Sequence, residues 1–325
     1  MDDSFNPDGY TREEWSAEME RARAIDDARR AEEWRLECEE RAAEERAAAE
    51  LEARWKAAEE RRRAQARFEI PFLKTSVARI IMSTIDRSLR YGQNSLIIGV
   101  PGVGKTRALR EIVRRGAVGE LEYDVALIDV TATIGTSLRE VFREVGAALD
   151  VEPIDHNADM RRRMVKHAAR FPVILFDEAQ NLGYKQLRDV LGLSVEIGVQ
   201  MVFCGNGEVL KLVNSGQGAI QQISRRLPFR EEINCILDAD ADLIASHFGV
   251  EGMDAHRLCR EIGGRFHADG VAKVLTIARD RNGDHKTIHL PAIREALGLM
   301  PHFVAGLASD RRPKRVQRQT TLGPA

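Results

Sequence analysis

The eight residues Gly99-Val100-Pro101-Gly102-Val103-Gly104-Lys105-Thr106 fit the pattern G-x-x-x-x-G-K-[ST]. They follow an apolar run, Ser95-Leu96-Ile97-Ile98, and precede a helical one, Thr106 to Arg115. A strand, a glycine-rich turn and a helix in that order build a phosphate cradle. Glycines let the backbone approach the anion, and successive N–H groups and the helix N-terminus face its oxygens. Lys105 then reaches the terminal phosphates and the Thr106 hydroxyl ligates Mg²⁺. The order requires an α/β arrangement here and predicts that the chain binds a nucleotide.

A second motif carries the chemistry. Val173-Ile174-Leu175-Phe176 is an apolar strand that ends abruptly in Asp177-Glu178. Two acids at a strand tip beside a phosphate site divide the work: Asp177 holds the Mg²⁺ shell, directly or through water, and Glu178 polarises the water that attacks the γ-phosphate. A further strand, Met201-Val202-Phe203-Cys204, ends in Gly205-Asn206-Gly207, where the Asn206 amide can meet the γ-phosphate or the lytic water. Alone, such a tip reads as an ordinary polar turn. Ser224-Arg225-Arg226 precedes the last strand, and an arginine there can reach the γ-phosphate of a neighbouring subunit, so that hydrolysis requires assembly. Arg225 is the first choice for that finger and Arg226 the alternative, with a surface ion-pairing role the plain reading for both.

Around these motifs the chain falls into four stretches: 1–67, 68–234, 235–305 and 306–325. From Thr11 to Arg67 the sequence is rich in Glu, Arg and Ala without proline or glycine, which predicts a continuous charged helix of roughly 80 Å. Its apolar residues (Trp15, Met19, Ala22, Trp34, Leu36) keep helical spacing only in patches, leaving a solvated helix, a weak coiled coil and a docking arm open. After Pro71 helices and strands alternate: helix from Thr75 to Arg90, strand 96–98, helix, strand 125–130, helix, then strands at 173–176 and 200–204, followed by mixed helical sequence and a short strand at 229–233. That alternation predicts a parallel sheet covered on both faces, with ligands at the carboxyl ends of its strands. Ser137 and Glu140 read as a capping box opening one helix. From Asp238 the pattern is purely helical, over 239–248, 255–262, 268–279 and 290–297, as in a small lid bundle. A basic tail, Arg311-Arg312-Pro313-Lys314-Arg315-Val316-Gln317-Arg318, follows.

Composition narrows the class less than the motifs do. Lys and Arg number 49 against 51 Asp and Glu, so overall charge favours neither nucleic acid nor a basic partner. The four cysteines are scattered without zinc spacing, which suits a reducing, cytoplasmic setting. No apolar stretch approaches the ~20 residues needed to span a bilayer, and Met1-Asp2-Asp3 has no secretory character, so a soluble protein without a membrane partner is expected.

Taken together, the P-loop, the Asp-Glu strand, the polar strand tip, the arginine before the final strand and the helical lid resemble the AAA+ ATPases. The second half is similar in detail to the phage Mu B family, the ATP-dependent target-DNA activators of transposition. The similar residues are Gly205-Asn206-Gly207-Glu208-Val209, Gln222-Ile223-Ser224-Arg225-Arg226, Ala239-Asp240-Ala241, Ile244-Ala245 and Gly270-Val271-Ala272-Lys273-Val274-Leu275. The resemblance implies an ATP- and Mg²⁺-dependent homo-oligomer or filament on duplex DNA, contact with a transposase, and hydrolysis that dismantles the assembly. It also implies that Lys273 stands where such lids place a basic residue sensing bound phosphates. The amino-terminal helix-turn-helix module of that family is replaced here by the charged helix, so DNA falls to the ATPase body and tail, with Lys185, Arg139 and the tail arginines as contacts. Repeated phosphate contacts along a filament need little net charge per subunit. A replication initiator or helicase loader, and an ATPase that remodels proteins for secretion or signalling, share the same core and stand as alternatives.

Overall fold

The computed structural model describes residues 71–167, 173–214, 223–282 and 287–309, together with positions between 15 and 56. The chain divides into two compact units, Met1–Ile70 and Pro71–Ala325. In the first, every described residue is helical and exposed, Trp15 and Trp34 included, and Arg30–Asp26 and Arg35–Glu32 pair along the helix surface at 3.8 and 3.6 Å. The tail from 310 onward and Gln222 lie outside the described residues.

The second unit opens with helix α1 (Ser76–Tyr91), whose first turn is capped by the Thr75 hydroxyl accepting from the Ala78 N–H at 3.3 Å. Then follow β1 (Ser95–Gly99), α2 (Lys105–Ala117), β2 (Val125–Asp129), α3 (Ala132–Thr136), α4 (Leu138–Ala148), α5 (Asn157–His167) and β3 (Val173–Asp177). A single 3-10 turn (Ala179–Asn181) leads into α6 (Tyr184–Ile197), β4 (Gln200–Gly205), α7 (Val209–Asn214) and β5 (Phe229–Ile233). The five strands form one sheet in the order β2-β3-β4-β1-β5, with all pairs parallel. Burial follows position. Central strands β1 and β3 are buried at every residue, whereas the edge strands β2 and β5 are largely half-exposed. Leu96, Ile98, Ile174, Phe176, Met201 and Phe203 share one face with the buried residues of α4, α5 and α6, and the Phe176 and Phe203 rings stack there at 4.8 Å. The alternate residues Ile97, Leu175 and Val202 face the side packed by α1 and α2.

The capping box at Ser137 is half made. The Ser137 hydroxyl accepts from the Glu140 N–H at 3.3 Å, but its own N–H is already taken by the Ile134 carbonyl at the end of α3, and Glu140 pairs with Arg143 instead. Beyond β5 come α8 (Asp238–His247), α9 (Met253–Arg281), α10 (Leu290–Gly298) and α11 (Pro301–Ala308). The two helices expected at 255–262 and 268–279 are one element with a non-helical residue, His267, inside it. Asp240 ties this bundle to the sheet unit. Buried at 2% exposure, its carboxylate accepts from the Ser76 N–H at 2.6 Å and from the Leu237 N–H at 3.0 Å. No helix among the described residues is long and apolar enough to cross a membrane.

Candidate nucleotide site

The P-loop starts at the carboxyl end of β1, anchored by the Val100 N–H donating to the Ile233 carbonyl of β5 at 3.1 Å. Gly102 and Gly104 take φ of 82° and 104°, a left-handed backbone that favours glycine, and so the chain turns sharply into α2. Gly104 caps α2 without a side-chain hydrogen bond, leaving the first N–H groups of that helix for an anion. The Lys105 stem runs back across Gly99, where an added Cβ would stand 3.0 Å from its Cδ. Its ammonium, in a residue only 8% exposed, donates to the Gly99 and Val100 carbonyls at 2.7 and 3.1 Å. A cation held by neutral carbonyls is poised to exchange them for phosphate oxygens, which would compensate its charge.

Two strands away in the sheet, β3 delivers its acids to the same end. Asp177 is 1% exposed and accepts from the Thr106 hydroxyl and from the Glu178 N–H, the latter at 2.9 Å. Burial, aided by the carboxylates of Glu178 and Asp129, pushes the Asp177 carboxyl up from its ordinary range. A hydroxyl and a buried, like-charge-crowded carboxylate in contact fit a divalent cation: Thr106 and Asp177 are the residues that would hold Mg²⁺. Glu178 is exposed and sits at φ 53°, ψ 38°, the left-handed region that a glutamate enters only at a cost in strain.

The β3 tip is tied to both neighbours. Asn181 donates to the Val130 carbonyl beyond β2 at 2.7 Å, and the Gly183 N–H donates to Gly135 of α3 at 3.1 Å. Toward β4, Gln180 donates through Nε2 to the Glu178 carboxylate and accepts from the Asn206 N–H at 3.1 Å. Gln180 is thus a bridge between Glu178 and Asn206 that motif reading missed; an amide three residues beyond the first acid was its only signal. The Asn206 Oδ1 accepts from the Glu208 N–H at 2.8 Å, a local turn that opens α7. The Cys204 thiol is buried next to Asp177, Lys105 and Glu178, and burial above all pushes it up, keeping it protonated.

The remaining expected residues lie further out. Arg225 ends the helical turn at 223–225 and Arg226 follows it, both exposed, and Arg230 holds this turn by donating to the Ser224 hydroxyl at 2.6 Å and the Leu227 carbonyl at 3.2 Å. Lys273 is ion-paired with Asp269 at 2.6 Å and 60% exposed, while the Asp269 N–H donates to the Gly102 carbonyl at 2.9 Å. The lid therefore meets the P-loop through the segment at 266–269, one helical turn before Lys273. Lys185 is exposed at the first turn of α6, and Arg139 is exposed but paired with Asp155. Tyr91, which stands near the P-loop in sequence, packs on Phe229 at 5.7 Å, at the amino ends of β1 and β5 and away from the phosphate cradle.

The family model described as AAA domain matches residues 88–213, the stretch from the end of α1 through α7. The Mu-like prophage FluMu DNA transposition protein B of Haemophilus influenzae is 25% identical over 211 residues, covering 62% of this chain and 71% of that protein. Residues 88–213 of this chain thus match an AAA domain, and the chain is similar to the Mu B transposition proteins. The ATP-dependent target DNA activator B of Escherichia phage Mu is also 25% identical, over 199 residues that cover 59% of this chain and 60% of the phage protein. Among solved structures, Cdc6p from Pyrobaculum aerophilum and the ORC2 protein of Aeropyrum pernix superpose with TM-scores of 0.55 and 0.53. Each is 14% identical and covers 71% of this chain and 70% of its own, a likeness of fold, here the P-loop AAA+ sheet with its helices.

Proposed function

We propose that the chain is an ATP-hydrolysing, DNA-binding protein that assembles on target DNA, activates a transposase and leaves the DNA on hydrolysis. The observation that carries the nucleotide reading is the contact between the Thr106 hydroxyl and buried Asp177 beside the Lys105 ammonium, which joins the two motifs in one site. In this reading residues 99–106 and Lys105 hold the triphosphate, and Glu178 takes the proton of the attacking water. Asn206 meets the γ-phosphate from the β4 tip. Thr106 and Asp177 would hold Mg²⁺, which would supply charge compensation to the phosphate oxygens.

Arg225 is the finger offered to a neighbouring copy, a contribution worth roughly 10³ to 10⁵ in rate in such sites. Its exposure supports that role, since a finger must leave its own subunit. Lys273 adds positive charge on the lid. The DNA and transposase parts rest on the likeness to the DNA transposition protein B and the target DNA activator B, and Lys185 and the tail are the backbone contacts they call for. Sedimentation of the full chain with duplex DNA and ATP, ADP or neither tests the whole reading. ATP-dependent pelleting that falls with added salt is expected; pelleting that ignores nucleotide, or none at all, refutes it.

A further inference from the structure

At His267 the backbone of α9 has φ 59° and ψ −161°, a region that only glycine occupies without strain. The element is thus two helices meeting at this residue. The Phe266 ring stacks on Phe303 of α11 at 4.1 Å; a Cβ added at Gly306 would fall 2.3 Å from the Phe266 Cζ, and one added at Gly270 would fall 2.2 Å from the Phe266 Cβ. The Arg265 guanidinium donates to the Gly306 and Ser309 carbonyls and clamps the same turn. The strained residue thus lies where α9 packs tightly against α11.

The kink is aimed at the P-loop. A Cβ built on Gly102 would come 3.6 Å from the Phe266 carbonyl oxygen and 4.0 Å from the His267 Cβ. The His267 Nδ1 is buried and has no hydrogen-bond partner among the described residues. A buried ring nitrogen in that state, on a strained residue over a phosphate cradle, calls for a ligand. Burial, and next the Lys105 charge, hold the imidazole below its ordinary range, so at neutral pH it is an uncharged ring near the P-loop lysine.

We propose that His267 is a nucleotide contact: its Nδ1–H donates to a phosphate oxygen of the nucleotide held by Gly102–Thr106, and the kink is what presents it. This rests on the nucleotide-binding reading above, and it moves the lid's phosphate contact from Lys273 to His267.

Radiolabelled Mg-ATP binding to the full chain, measured by equilibrium dialysis, tests it with two variants. His267→Gly suits the backbone at this position, so its melting temperature without nucleotide should not fall, yet ATP affinity should drop about tenfold, the worth of one hydrogen bond to a charged group. His267→Asn keeps an N–H donor where Nδ1 stands and should bind within about threefold of the parent. Unchanged affinity in the glycine variant, or equal losses in both, overturns the contact. A parent chain that retains no ATP overturns the nucleotide reading itself, and this inference with it.

Discussion

Gly205 is the residue whose replacement most directly probes how the tips of β3 and β4 are joined. An added Cβ there would lie 2.6 Å from the Gln180 Oε1, 2.7 Å from the Val209 Cγ2 and 3.2 Å from the Gln180 backbone nitrogen. The first two are side-chain atoms that can turn aside; the third is backbone. To clear the methyl, Gln180 must release the Asn206 N–H, now bonded at 3.1 Å, and with it the Glu178 carboxylate. Overpacking of this kind costs about 1–3 kcal/mol and the lost hydrogen bond about 1 more. Gly205→Ala should therefore cost about 2–4 kcal/mol and lower the melting temperature by roughly 5–15 °C. Steady-state ATP turnover should fall while ATP affinity holds, because the displaced groups are Glu178 and Asn206 and not the P-loop. In a Gln180→Ala background the same substitution should cost at least ~1 kcal/mol less, the coupling expected of residues in contact. Calorimetry and turnover of the four proteins decide the matter. A single variant with parental melting and turnover, or additive effects in the double variant, would refute the argument that Gln180 fills the space over Gly205.

Three further outcomes follow from the same geometry. Because the Asp177 carboxyl is raised in the folded protein, its contribution to stability is lost as pH rises through that raised value. Asp177→Asn should then melt higher than the parent at pH 7 without nucleotide, yet lose the Mg²⁺-dependent part of the stabilisation by ATP; a lower melting point without nucleotide would contradict the burial argument. Glu178→Gln should bind ATP normally and hydrolyse it roughly 10² to 10⁴ times more slowly, leaving over-stable assemblies on DNA, and normal turnover would remove Glu178 from its role. In the lid, burial raises the Asp242 carboxyl, but hydrogen bonds from Arg260 at 2.9 Å and His256 at 3.0 Å outweigh it and hold the group below the usual range. That stability is present above the unfolded value and disappears as pH falls through the folded one, so Asp242→Asn should flatten the acid limb of a urea-midpoint series; an unaltered limb would discount the pair.

The sheet was legible because its buried strands announce themselves. Runs such as Val173–Phe176 and Met201–Cys204 are apolar throughout, as strands covered on both faces must be, and each stops at a polar tip. The strand order could not be read, since nothing in β4 states that it slots between β1 and β3. Helices α5, α6 and α11 also went unmarked: α5 carries five charged residues among its 11, and α11 is mostly small or apolar without a charged face to set a period. At the site, the P-loop and acids were visible as spacing, while Gln180 and His267 were not. Their significance comes from contacts across the fold and from backbone angles, which a linear pattern of residue types does not encode. The break at His267 is the clearest case, for no glycine or proline stands there and the ring that packs beside it, Phe303, lies 37 residues downstream of Phe266.

Asp240 has a mechanical meaning. One carboxylate holds both the first residue of α1 and the residue entering α8, where the chain passes from the α/β part into the bundle, while the hydrogen bond from the Asp269 N–H to the Gly102 carbonyl joins the two again at the P-loop. Rotation of the bundle would swing about this pin, while translation would have to shear it. A swing of the lid about residue 240 would have to break the hydrogen bond between Asp269 and Gly102, and so would uncover the P-loop.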